Sequence, residues 1–288
     1  MQQQPLVSIL MTCYNREQFI TEAIESVLKL AYTNFELIIV DDGSKDNTVT
    51  IARSFAARDE RIHVHVNKEN LGDYPNRNHA ASFAKGDYIF FVDSDDTIYP
   101  DTITKVMGQM LEQPHIGFGM TCSIDFPQLQ LSSKEAIRIH LFKRQFLYKG
   151  PGGTVIKRDF FNAIGKYPEK YGPANDMYFN LKAPCCTNML LFPFDFGFYR
   201  LHDGQQLNNR FSYMYNNYRY MRDAIEELPL PVTEEEKKWL IKKNKRRFSV
   251  HLVKFFCKTL SFSKTKEAYR KANFSFRFFL QGIFQSSN

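Results

Sequence analysis

Three apolar runs constrain what this chain can fold into. Leu6–Met11, Phe35–Val40 and Tyr88–Val92 each suit one short strand, and each stops at a polar or acidic cluster: Thr12-Cys13-Tyr14-Asn15, Asp41-Asp42-Gly43-Ser44 and Asp93-Ser94-Asp95-Asp96. Between them, Phe19, Ile20, Ala23, Ile24, Val27 and Leu28 recur at helical spacing. Asp46-Asn47-Thr48 offers an N-cap for a helix through Phe55, Arg61–Val66 alternates as a further strand, and Pro75–Ala81 opens another helix. Strands alternating with helices imply βαβ units and a parallel sheet. Such sheets bind ligands outside the carboxyl ends of their strands, where the strand order reverses. The three polar clusters all sit at such ends and can converge on one crevice.

The third cluster carries the most chemistry. Tyr88–Val92 reads as a strand buried on both faces, and three carboxylates follow it with only Ser94 among them. Clustered negative charge at a sheet edge is costly without a cation. Oxygen ligands at this density suit Mg²⁺ or Mn²⁺, held by one or two carboxylates with substrate phosphates completing the shell. A polar loop whose acids cap the helix after Pro100 is the plainer reading, and the motif alone leaves both open. No G-x-G-x-x-G follows the first strand, so any nucleotide is held by side chains rather than by a glycine cradle. Asp42 could bond a base or ribose hydroxyl and Tyr14 could pack on a base; singly, each is equally a turn acid and a core-edge tyrosine.

Met11–Asn15, Val40–Asp46, Asn70-Leu71-Gly72 with Arg77-Asn78, and Val92–Asp96 together resemble, in order and spacing, the family 2 glycosyltransferases of the GT-A fold. The resemblance is strong over residues 5–110 and traceable to 204. It implies a Rossmann-like α/β fold with a mixed, mainly parallel sheet flanked by helices. It places Thr12 and Tyr14 in the nucleotide pocket, with Asn15 beside them as a further nucleotide-sugar-binding residue, Asp42 at the base and Arg77 near the diphosphate. In the D-x-D motif Asp93 would reach the ribose and Ser94 would join it in binding the nucleotide sugar, Asp95 would bind Mn²⁺ or Mg²⁺, and Asp96 would stand behind them.

In the second half, Lys149–Ile156 holds Gly150, Gly152 and Gly153, which let backbone approach a ligand closely or simply make a turn before a strand. The resemblance makes this a loop shaping the donor and acceptor sites, with Gly152 and Gly153 in it. Pro173–Asp176 can start a helix with Asp176 in its first turn. The family carries an acidic pair here whose acid is the general base of an inverting transfer; Asp176 matches it, while Asn175 replaces the preceding acid. Without that context Asp176 is a helix N-terminal acid favoured by the macrodipole. Arg200-Leu201-His202 matches an R-x-H motif, which adds His202 to the metal or diphosphate shell.

The boundaries expected are a catalytic domain over residues 1–204, with a nucleotide-binding half at 5–110 and an acceptor half at 111–204, then a helical region at 205–288. The chain has 288 residues and a net charge of +7, but residues 205–288 carry 17 Lys and Arg against 7 Asp and Glu. In that region Lys242–Arg247 precedes a Phe-rich amphipathic stretch, and a second one spans Tyr269–Ile283. Basic residues beside apolar faces suit an anionic membrane surface; packing on the catalytic domain or in a homodimer is the alternative. No nucleic-acid module accompanies the basic cluster, so nucleic acid is not an expected partner. Five cysteines without C-x-x-C spacing, no signal peptide and no apolar run long enough to span a bilayer fit a cytoplasmic protein, peripheral at the inner membrane face if the tail binds lipid.

The function expected is a metal-dependent inverting glycosyltransferase, with hexose or N-acetylhexosamine as the sugar. It would move the sugar from a nucleotide-diphosphate donor, a UDP-sugar by family weighting, to a hydroxyl of a glycan or lipid-linked acceptor in cell-surface polysaccharide synthesis. A metal-dependent nucleotidyltransferase shares the crevice but needs no base at Asp176. A non-catalytic membrane-associated assembly subunit would work through the tail alone.

Overall fold

The computed structural model describes residues 4–122, 129–202 and 209–284. Its main sheet has the order β3-β2-β1-β4-β8-β6-β9-β7, built from β1 (Val7–Cys13), β2 (Phe35–Asp41), β3 (Ile62–Val66), β4 (Tyr88–Phe91), β6 (Phe118–Thr121), β7 (Gln130–Leu131), β8 (Thr154–Lys157) and β9 (Met189–Phe192). The pairs β3·β2, β2·β1, β1·β4 and β6·β9 are parallel; β8 runs antiparallel between β4 and β6, and β7 antiparallel to β9. This is the mixed, mainly parallel sheet of the GT-A expectation. A two-stranded ribbon pairs β5 (Thr97–Ile98) with β10 (Gly197–Phe198) and carries the chain after the acidic cluster back beside residues 197–202.

The pleat divides the core in two. Leu10, Ile38, Val40, Ile89 and Phe91 point to one side, against α3 (Asp73–Phe83) and α7 (Asn175–Cys186). Their neighbours Ile9, Met11, Leu37, Ile39 and Phe90 point to the other, against α1 (Ile20–Leu28) and α4 (Thr102–Glu112). Successive side chains of a strand face opposite ways, so an unbroken apolar run serves both cores at once. One buried polar knot locks the register. Glu36 on β2 accepts from Ser8 Oγ at 2.6 Å and from the Lys85 N–H at 2.7 Å, just before β4. Gly86 sits there because a Cβ would come within 2.6 Å of the Ser8 backbone nitrogen.

The remaining helices are α2 (Thr48–Ala56), α5 (Ser133–Arg138), which runs on into a π-turn at Ile139–Lys143, α6 (Arg158–Ala163), α8 (Arg210–Glu227), α9 (Glu234–Thr259), α10 (Phe262–Lys271) and α11 (Phe276–Phe284). Thr233 caps α9 in a full capping box with Glu236. The single amphipathic stretch expected over Tyr269–Ile283 is instead two helices. The break falls at Ala272–Ser275, where Asn273 takes φ 49° and Phe274 is buried against Tyr218 and Phe248. Asparagine tolerates that left-handed conformation, and anchoring one aromatic turns the next helix aside.

The C-terminal helices share the core of the sheet. Tyr220, Ala224, Ile225 and Leu240 belong to the same apolar cluster as Phe118 and Phe179. Tyr171 and Tyr178 donate to Asp223 and Glu227 of α8, each at 2.8 Å. A smaller cluster around Tyr215, Phe248, Leu252, Ala268 and Phe274 holds α8–α11 together.

Candidate active site

The carboxyl ends of β1, β2 and β4 open on one cleft of about 1120 Å³. Thr12, Tyr14, Asn15, Asp42, Arg77, Asp93, Ser94, Asp95 and Asp176 all line it. Residues spread over 165 positions of sequence thus meet: parallel strands place their carboxyl ends on one side of the sheet, and α3 and α7 bring Arg77 and Asp176 to the same side.

Two of these residues build the floor rather than offer free polar groups. Asn15 takes φ 52°; its N–H donates to Ser44 Oγ and its Oδ1 accepts from the Lys45 N–H, both at 2.8 Å. It therefore clasps the β1 loop to the β2 loop. Ser94 Oγ donates to the Thr12 carbonyl at 2.9 Å, which joins the ends of β1 and β4. Tyr14 stays nearly half exposed, a ring open to a flat partner. Asp42 is buried and accepts from the N–H groups of Leu71 and Gly72 at 2.8 and 2.9 Å and from Asn67 Nδ2 at 2.8 Å. It shapes the wall before α3. Its neighbour Asp41 closes the β2 turn by accepting from the N–H groups of Gly43 and Ser44.

Arg77 projects from α3 under the acids. Its Nε donates to Asp73 at 2.8 Å, and its Nη1 lies 2.7 Å from Asp93 Oδ1. The guanidinium is buried, flanked by the rings of Tyr74 and Phe91, each 5.8 Å away. Its charge is matched by two carboxylates that themselves reach the cleft. Burial lifts the Asp93 carboxyl above its ordinary range, and the Arg77 charge opposes that rise.

Asp95 Oδ2 faces Arg16 Nε at 3.2 Å and His202 Nε2 at 2.9 Å. His202 stacks on Phe19 with centroids 4.7 Å apart. Arg200 lies over the same ring, and its Nε donates to the Asp95 carbonyl at 3.0 Å. The Arg200 N–H also donates to Asp96 at 2.9 Å. Burial, with the Asp93 charge adding to it, pushes the Asp96 carboxyl up to about 7. Among the described residues no three His, Cys, Asp or Glu side chains gather as a metal cage. The donor set of Asp95 and His202, one carboxylate and one imidazole at a cleft edge, fits a cation that takes its other ligands from substrate oxygens.

Asp176 stands in the first turn of α7, buried but reaching the cleft beside Asp73 and Tyr74. Burial pushes its carboxyl up to about 7; the Met177 N–H, bonded at 2.7 Å, pulls the other way, and the Asp73 charge adds to the rise. A carboxylate that titrates near neutrality can take a proton at physiological pH. Asn175, where an acid was expected, has a structural task. Its Oδ1 accepts from the Tyr171 N–H at 2.9 Å and its Nδ2 donates to the Gly172 carbonyl at 2.7 Å, which shapes the turn into α7.

The glycine loop lies at the junction of two spaces. Gly150 lines the main cleft, while Gly152 and Gly153 line an adjoining pocket of about 210 Å³ with Asp93, Asp96 and Lys149. Gly153 is required sterically, since a Cβ there would lie 2.9 Å from Thr121 Cγ2 and 3.1 Å from Lys149 Cβ. Asn180 of α7 donates to the Lys149 carbonyl at 2.8 Å and fixes this loop relative to Asp176.

Several cleft residues were not singled out from sequence. Arg16 sits directly after the Thr12–Asn15 cluster, and that position was its only signal. Tyr148 and Tyr199 precede or follow recognised motifs. Asn209 and Tyr213, from the start of α8, had no signal at all, because only the packing of α8 on α7 brings them to the cleft.

Residues 8–165 match the glycosyl transferase family 2 pattern. The chain belongs to that family. Among its relatives, an uncharacterised glycosyltransferase of Haemophilus influenzae is 36% identical over 130 residues, 44% of this chain and 52% of that protein. The putative teichuronic acid biosynthesis glycosyltransferase TuaG of Bacillus subtilis is 34% identical over 139 residues, 48% of this chain and 52% of that protein. The matched stretch thus spans about half the length of these family members. In three dimensions the S. aureus TarS fragment 1–349 in complex with UDP-GlcNAc superposes with a TM-score of 0.70 at 22% identity, covering 96% of this chain and 81% of that one. The mannosyltransferase PcManGT from Pyrobaculum calidifontis, in complex with GDP-Man and Mn²⁺, gives 0.63 at 14% identity, with 98% and 86% covered. Both likenesses are of fold. No helix among the described residues is long and apolar enough to cross a membrane.

Proposed function

We propose that the cleft catalyses an inverting transfer of a hexosyl or N-acetylhexosaminyl group from a nucleotide-diphosphate sugar to a hydroxyl of a glycan or lipid-linked acceptor. The observation that carries this reading is Asp176: a buried carboxylate, titrating near 7, that faces the same cleft as the acids at the strand ends.

The nucleotide lies along the ends of β1, β2 and β4, its base against Tyr14 and Thr12 and the wall fixed by Asp42, its ribose toward Asp93. Arg77 orients Asp93 and offsets its charge. Asp95 and His202 hold Mn²⁺ or Mg²⁺, which when bound supplies Lewis-acid stabilisation of the leaving diphosphate. Gly152 and Gly153 leave room for the sugar in the side pocket, next to Lys149. The acceptor hydroxyl enters beside Asp176 and gives it a proton as the oxygen bonds to the anomeric carbon. The bond from that carbon to the diphosphate breaks on the opposite face, and the nucleoside diphosphate leaves. UDP as the nucleotide is supported by the UDP-GlcNAc held by TarS, and a cell-surface polysaccharide as the acceptor by the relationship to TuaG.

The test is product analysis over a panel of nucleotide sugars with Mn²⁺. Release of nucleoside diphosphate with a newly glycosylated acceptor is expected. Release of pyrophosphate, or unchanged turnover by a folded Asp176→Asn protein, sinks the assignment.

A further inference from the structure

The last three helices present an apolar surface that no other described residue covers. Gly282 presses α11 against α9; a Cβ there would lie 2.3 Å from Ser249 Oγ and 2.9 Å from the Lys245 carbonyl oxygen. With that face turned inward, Phe276, Leu280 and Phe284, spaced at i, i+4 and i+8, point outward with exposures of 65, 39 and 80%. At the α9–α10 corner Leu260 and Phe262 are 78 and 74% exposed. Large apolar side chains grouped in the open mark a contact surface.

Charge selects the partner. From Lys242 to Phe284 the chain has 12 Lys and Arg and a single acid, Glu267. Lys254, Lys258 and Arg277 are exposed on the same helices as the apolar residues. Two copies meeting through this layer would bring two such positive surpluses together, which opposes self-association. A negatively charged bilayer answers both features, taking aromatic side chains at its headgroup boundary and basic ones at its phosphates.

We propose that α9–α11 form a docking surface for an anionic lipid bilayer, with Phe276, Leu280 and Phe284 inserted and the flanking cations on the headgroups. The proposal does not depend on the catalytic reading. Because α8 packs on these helices and places Tyr213 in the cleft, docking would fix the cleft relative to the membrane plane.

The test is sedimentation of the full chain with sucrose-loaded vesicles of phosphatidylcholine alone or with about 30% phosphatidylglycerol, at about 50 and 500 mM salt. Partitioning at least about tenfold higher with phosphatidylglycerol at low salt, and collapsing at high salt, is expected. A Phe276→Ser/Leu280→Ser/Phe284→Ser variant and a Lys254→Gln/Lys258→Gln/Arg277→Gln variant should each lose most of that binding. The charge variant alters only exposed residues and keeps the question answerable if the apolar one misfolds. Binding no better to phosphatidylglycerol than to phosphatidylcholine at low salt overturns the proposal, as does wild-type binding by both folded variants. So does light scattering that shows a dimer which the apolar variant dissociates, since the face would then belong to a second copy.

Discussion

His202 Nε2 lies 2.9 Å from Asp95 Oδ2, although the two residues are 107 positions apart. The β5·β10 ribbon brings them together by carrying the chain after β9 back to the end of β4. If they share a divalent cation in the working enzyme, Asp95→Asn and His202→Ala should each lower turnover by about a hundredfold. The loss should be largest at limiting Mn²⁺ and partly recovered at high Mn²⁺ in His202→Ala. Metal titrations of donor turnover, with circular dichroism to verify folding, check this.

Asp176 links the pH profile of activity to that of stability, with opposite signs. As the base it works ionised, so kcat/KM should rise about tenfold per pH unit below its value of about 7 and level off above it. Its folded value lies above the unfolded one. Its contribution to stability is therefore complete below the ordinary carboxylate range and lost as pH rises through about 7. Asp176→Asn should cost about 10²–10⁴ in turnover yet lose less stability between pH 5.5 and 8 than wild type, by on the order of a few kcal/mol at most. Urea midpoints at the two pH values measure the second effect.

Arg77→Ala would leave Asp73 and Asp93 facing each other without their shared cation. Removing one partner of a buried ion pair costs about 3–5 kcal/mol. Both acids remain partly wet, so a cost below that range, about 2–3 kcal/mol, is expected. Arg77→Lys should restore only part of the loss, because one ammonium does not span both carboxylates as the guanidinium does. Chemical denaturation of the three proteins tests the order wild type, Lys, Ala.

Gly86→Ala adds one methyl group, far from the cleft, and it meets backbone at Ser8 and Leu6. Destabilisation of about 1–3 kcal/mol is expected, with unchanged KM for donor at a temperature where the variant is folded. A thermal melt paired with steady-state kinetics separates the two.

The parallel half of the sheet was legible because apolar runs, helical spacing and strand-end acids recur in order, and each is a local property. Asp95 and Asp176 could be placed for the same reason, inside short motifs. What was not legible depends on elements meeting from a distance. The pairing of Arg77 with Asp93 needs α3 to lie under β4. The entry of Tyr213 into the cleft needs α8 to pack on α7. Asn175 looked like a lost acid, whereas the structure gives it the turn that presents Asp176. The break at Asn273 leaves no mark in the sequence because the apolar spacing on either side of it continues as though the helix were unbroken.

The helix α8 starts beside Asp176, packs its first half on the basic helices through Tyr215 and Tyr218, and is bonded near its end through Asp223 and Glu227 to Tyr171 and Tyr178. A chimera that exchanges acceptor or localisation modules between relatives therefore has its natural seam after Glu227. A cut at residue 204, where the composition changes, would replace one wall of the cleft along with the module and strand two buried tyrosine hydroxyls.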